Sequence, residues 1–97
     1  MSDAPKEIIH PLVHLNGSSA QHLIDEALGV AQAIGSAMAR LAEAAPNARD
    51  YYPLGDAAWN QAKREHEDRQ ARLKSVYDEI AAIYTKLEND RDAAKRR

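Results

Sequence analysis

Four histidines are the first side chains to weigh as metal ligands or general bases. His10 and His14 stand four apart, a ligand spacing only on a helix, and Pro11 lies between them. In an extended segment the two rings would be roughly 13 Å apart, too far to share an ion. His22 and His66 have no histidine at zinc-motif spacing, and Glu67 after His66 is not followed by a second histidine four residues on. Ser18 and Ser19 are outside any G-x-S-x-G elbow. Asp25 and Glu26 are neighbours, so on a helix they point about 100° apart and make a poor acid–base pair. Cysteine is absent, which excludes disulfides, thiolate metal sites and cysteine nucleophiles. No phosphate loop of the Walker or dinucleotide type is present. These absences argue against catalysis and against a cofactor or metal.

Two segments have chemistry that fits a bound ligand instead. The first is His14-Leu15-Asn16-Gly17-Ser18-Ser19, at the expected start of a helix, where free backbone N–H groups and the positive dipole end attract anions. The second is Arg49-Asp50-Tyr51-Tyr52-Pro53-Leu54-Gly55-Asp56. Tyrosine rings stack on bases, and an arginine forks onto phosphate. Each segment also has a plain structural reading: a capped helix start, and a rigid corner whose tyrosines close the end of a hairpin.

The elements that must position these segments follow from spacing. Residues 1–17 lack helical periodicity and contain Pro5, Pro11 and Gly17, yet Ile8, Ile9, Leu12, Val13 and Leu15 make them apolar. Such an arm must pack on something. A first helix is expected from Ser19 to Ala45, with Ser18 or Ser19 as its cap and Gln21 completing a capping box. Its apolar row is Leu23, Ala27, Val30, Ile34, Met38, Leu41 and Ala45, in steps of three and four. Gly29 and Gly35 inside it are either tolerated or mark close helix approach. Pro46 ends it. A second helix is expected from Ala57 into the low nineties, with Asp56 as cap. Trp59, His66, Leu73, Ile80 and Leu87 repeat every seven residues, with Ala62, Val76 and Ile83 as a companion row broken by Arg69. Lys63 to Arg72 is almost wholly polar, and its Glu65–Arg69 and Asp68–Arg72 pairs stand four apart in the favourable order.

The expected fold is therefore all-α: an antiparallel helical hairpin over residues 18–90, an extended arm over 1–17 and a basic, fraying tail over 91–97. The longer second helix would overhang the start of the first, with the arm or a second chain covering the overhang. The apolar supply bears on assembly. Nineteen residues are alanine, seventeen are Val, Ile or Leu, one is Trp and none is Phe. A core this lean gives a small domain little stability margin. Each helix of a lone pair also has a second side to bury. Both arguments point to a homo-oligomer, a dimer or higher. The two ligand-type segments sit at opposite ends of one hairpin, so they meet only where a second hairpin packs antiparallel on the first. No apolar run reaches 18 residues, so no membrane span is expected. No signal peptide is visible and the expected location is the cytoplasm. The net charge of −2 argues against a nucleic-acid partner.

Leu15-Asn16-Gly17, a helix, the turn Tyr51-Tyr52-Pro53-Leu54-Gly55 and a second helix with Trp59 four residues after that glycine resemble a phage family. These are the small anti-CBASS and anti-Thoeris proteins that sponge cyclic-nucleotide immune signals and share a helical hairpin domain. The resemblance covers roughly residues 14 to 84 and rests on short anchors. The HLNG and RDYYP segments also look like those of uncharacterised phage and prophage proteins. The resemblance implies a homo-oligomer, often a hexamer, without catalytic activity. It implies cyclic dinucleotide, cyclic trinucleotide or cyclic ADP-ribose ligands held between protomers, in the host cytoplasm. Asn16, Gly17, Tyr51, Leu54, Gly55 and Trp59 are the matching positions. All of these but Leu54, with His14, Ser18, Ser19, Arg49 and Tyr52, form the candidate ligand site. The first helix carries Arg40 and no lysine, so basic groups come from Arg49, Lys63, Arg64 or the second helix.

Three other readings compete. A small phage inhibitor or adaptor would offer the arm or the long helix to a protein partner and bind no small molecule. The tail RDAAKRR would be the contact of a nucleic-acid binder, but Asp92 dilutes it. An enzyme has the least support.

Overall fold

The computed structural model describes residues 7–95; the first six residues of the arm and the last two of the tail lie outside them. The described chain is all-helical, with two long helices, α1 (Ala20–Glu43) and α2 (Asp56–Lys95). Two single 3-10 turns, Ala48–Asp50 and Tyr52–Leu54, lie between them. The chain divides into an arm unit, Met1–Gln32 with Asp78–Arg97, and a corner unit, Ala33–Tyr77. Both helices contribute to both units.

α1 starts where a side chain can replace its missing hydrogen bonds. Ser19 is the cap: its Oγ accepts from the His22 backbone N–H at 3.1 Å, and its carbonyl accepts from Leu23 N–H. The expected capping box with Gln21 does not form. A helix beginning at Ala20 puts His22, not Gln21, at its third position. Gln21 instead donates to Asp25 at 2.8 Å. The C-terminal end tightens before Pro46. Ala44 N–H is shared between the Arg40 and Leu41 carbonyls, and Ala45 N–H reaches Ala42 in 3-10 fashion.

In the arm unit the two helices run antiparallel. Arg91 Nη1 donates to Gln21 Oε1 at 3.4 Å, while Asp25, one turn further along α1, lies in the field of Tyr84. The start of α1 thus sits beside the last turns of α2, and the expected overhang there is about one turn. Ile24, Ala31 and Leu87 are the buried apolar residues. The buried row of α1 is rotated from the expected one, and Val30 is exposed. Leu28 and Val30, about 160° apart around the helix, are both exposed, with the row of Ile24 and Ala31 between them. The apolar arc of α1 is wider than one neighbouring helix covers. The arm lies against α2: Ile8 and His10 share a depression with Ala82, Ile83 and Lys86, and His10 Nε2 is 3.5 Å from Asp90 Oδ2. Ile9 and Leu15 are 90% and 97% exposed. α2 includes the described part of the tail, as far as Lys95.

In the corner unit the end of α1, the two turns and the start of α2 make a hairpin. Ile34, Gly35, Met38 and Leu41 are half-buried, as are Trp59 and Leu73 on α2. The close helix approach weighed for the glycines is not what the structure uses. A Cβ on Gly29 would meet nothing within 4 Å, and one on Gly35 would meet the Tyr77 ring at an ordinary 3.8 Å. The charged run of α2 forms its ladder: Arg72 Nε–Asp68 Oδ2 at 2.9 Å and Arg69 Nη2–Glu65 Oε1 at 3.9 Å.

His66 completes the heptad row at a cost. It is 7% exposed, and its Nε2 has no hydrogen-bond partner among the described residues. A buried polar atom left unpaired costs about 1–3 kcal/mol. His66→Leu should therefore raise Tm, by several degrees for a chain of this size. Thermal melts followed by circular dichroism check this, and a fall in Tm would mean that Nε2 is paired when the protein is in solution.

Candidate functional site

The corner builds itself from local chemistry. Pro46 stops α1, and Asn47 then caps the first turn through its side chain, Oδ1 accepting from Arg49 N–H at 3.0 Å. Backbone bonds from Asp50 to Asn47 and from Tyr51 to Ala48, both 3.0 Å, close that turn. The second turn is closed by Leu54 N–H on the Tyr51 carbonyl at 2.9 Å. Gly55 leaves it at φ +96°, a conformation that a side chain would strain. Its carbonyl accepts the first helical bond of α2, from Trp59 N–H. Gly55 is therefore the cap and Asp56 the first helical residue, a correction to the expected Asp56 cap. At that position the carboxylate favours the positive end of the helix dipole.

This geometry gives the adjacent tyrosines different environments. Tyr51 is half-buried, with its ring 5.7 Å from Trp59 and tilted by 38°. Lys63, one turn beyond Trp59, holds its Nζ 5.0 Å from the Trp59 ring, a cation–π contact. Tyr52 points away and is 76% exposed; Leu54, Gly55 and Arg49 are exposed as well. An open depression of about 310 Å³ runs between the corner and α2, with Pro46, Tyr51, Leu54, Ala58 and Ala62 in its lining. An aromatic pair, a fixed ammonium and an exposed arginine and tyrosine can stack on and neutralise a planar anionic ligand.

The remaining candidates fall in the arm unit. His14, Asn16, Gly17, Ser18 and Ser19 are all exposed. Gly17 N–H donates to the His14 carbonyl at 3.1 Å, making a tight turn. The His14 ring folds over that turn, and a Cβ on Gly17 would come within 2.7 Å of its Nε2. Ser19 is committed to the α1 cap. The structure thus brings Tyr51 and Trp59 together and His14 and Gly17 together, and puts the two groups in different units. Lys63 joins the aromatic pair, and its spacing of four from Trp59 was the signal for it. The described residues contain no group of three or more His, Asp or Glu side chains able to hold a metal ion. No protein-family model, curated protein or solved structure matches the chain.

A second polar cluster lies in the arm unit. Tyr84 O–H donates to Glu88 Oε2 at 2.8 Å, and Arg91 Nη2 lies 3.8 Å from the same carboxylate oxygen. The bond to Glu88 holds the Tyr84 hydroxyl above its ordinary value, aided by desolvation and the Glu88 charge and opposed by Arg91. A tyrosine pKa that is higher in the folded state contributes stability below about pH 10 that is lost as pH rises through the folded value. Tyrosinate absorbance against pH should show one tyrosine ionising above the others, and Glu88→Gln should bring it back towards them. The corner has its own check. Tyr51→Ala should shift Trp59 emission and lower Tm, whereas Tyr52→Ala should leave both near wild type.

Proposed function

We propose that this chain is a non-catalytic binding protein that works as an assembly of its own copies and sequesters a cyclic nucleotide signal without cleaving it. The observation that carries this reading is the corner: Tyr51 on Trp59, Lys63 over Trp59, and Tyr52 and Arg49 exposed beside them. Stacking rings take a base, and the cations take the phosphates. The resemblance to the phage anti-CBASS and anti-Thoeris sponges supplies the ligand class: cyclic dinucleotides, cyclic trinucleotides or cyclic ADP-ribose isomers. The large apolar side chains left exposed favour a second copy, which such a site between protomers requires. An origin in a phage and action in the host cytoplasm belong to the same reading.

The arm favours a second reading. Its exposed Ile9, Leu12 and Leu15 suit a protein partner, which would make the chain an inhibitor or adaptor with no small-molecule ligand. Neither reading involves a membrane, and no helix among the described residues is long and apolar enough to cross one.

A thermal-shift screen against the three ligand classes separates the readings. Ligand at a hundred times its Kd should stabilise the protein by about 2.7 kcal/mol, and intact ligand should be recovered after heating. Arg49→Ala and Tyr52→Ala should abolish the shift while leaving the oligomer unchanged. No shift across the panel, with specific capture of one protein by the intact arm, would favour the adaptor instead. Recovery of altered ligand would mean an enzyme.

A further inference from the structure

One face of α2 within the corner unit is laid out in steps of four and three: Ala58, Ala62, Glu65, Arg69, Arg72 and Val76, with Asp68 beside Arg69. Ala58 and Ala62 are half-buried, the four charged residues are exposed, and Val76 is 48% exposed. From Glu65 to Arg72 the charges of this face run acidic, acidic, basic, basic, with Arg64 at its margin. A parallel copy would set like charges against each other. An antiparallel copy, related by a two-fold axis between Asp68 and Arg69, sets Glu65 against Arg72 and Asp68 against Arg69, each pair made twice. The same register brings the exposed Val76 over Gln61, at the edge of the small-residue stretch containing Ala58 and Ala62.

We propose that this stretch of α2 is the isologous interface of a homodimer, its occupant the same stretch of a second copy running antiparallel. The ion pairs now made within the chain do not compete strongly. They are exposed i,i+4 contacts, and the Arg69–Glu65 pair is long at 3.9 Å. Guanidinium groups carry five donors each, so Arg69 and Arg72 can hold their own carboxylates and those of a second copy together. Ala58 and Ala62, at the far end of this face, line the depression beside the chain's own corner with Pro46, Tyr51 and Leu54, so the contact between copies is centred on Glu65 to Arg72. The inference rests on the reading of the chain as an assembly of its own copies and names one interface of it; double variants of unchanged mass beside an oligomeric wild type would overturn this interface and leave that reading standing.

Sedimentation equilibrium of the full chain in low salt, without ligand, tests it. The wild type should sediment as a dimer or a multiple of dimers. Glu65→Arg with Asp68→Arg should halve that mass, and so should Arg69→Glu with Arg72→Glu, with helicity by circular dichroism retained in both. An equimolar mixture of the two double variants should regain the full mass, because each then offers the charge the other lacks. The quadruple variant, which reverses the order of charge, should regain it alone. A monomeric wild type, double variants of unchanged mass, or a mixture that stays at half mass would each overturn the proposal.

Discussion

Ile24, Ala31 and Leu87 are the apolar residues that the described chain takes fully out of water, while nine larger apolar side chains keep substantial contact with it. Everything else in the structure is shaped by that shortage of burial. The helices have to be held largely by their own ends and surfaces. Ser19 caps α1, Gly55 and Asp56 start α2, and the polar middle of α2 is laced by pairs four residues apart. Such contacts are individually weak. They explain how a helix as long as α2 persists through a stretch with little apolar surface.

The corner shows the same economy at the level of the site. Twelve residues separate α1 from α2, and they spend themselves on two tight turns that lie along the first turns of α2. That placement presses Tyr51 onto Trp59 and turns Tyr52 outwards. One tyrosine becomes part of the fold and the other part of the surface. A site assembled this way is rigid on its inner side and accessible on its outer side, which suits recognition of a flat ligand better than chemistry on one.

The all-α class, both helices, the turn between them and the heptad row of α2 were legible because they depend on local periodicity and on proline and glycine. The i,i+4 pairs were legible for the same reason. Two errors were local, the one-residue shifts that spoil the Gln21 capping box and make Gly55 the cap of α2; the others came where a choice is made by a distant part of the chain. Val30 belonged to the expected core row of α1, but the apolar arc of that helix is too broad for spacing alone to say which part meets α2. The overhang of α2 past the start of α1 is only about one turn, and the twelve-residue connection folds back along the first turns of α2. His10 with Asp90 and Gln21 with Arg91 pair across seventy residues or more, and no local pattern announces them. At the site, Trp59 and Tyr51 were legible as residue types. Their contact was not, since it depends on the path between them.

The glycines differ in how much freedom they leave to sequence drift. Gly55 is fixed by its own backbone angle, so that position changes only with a rearranged turn, whereas a side chain at Gly17 requires the exposed His14 ring to swing aside. Gly29 meets nothing, and alanine there would strengthen α1 by roughly 1 kcal/mol. Descendants of this sequence can therefore lose Gly29 at no structural cost and gain tolerance for harmful changes elsewhere. The corner has no such slack.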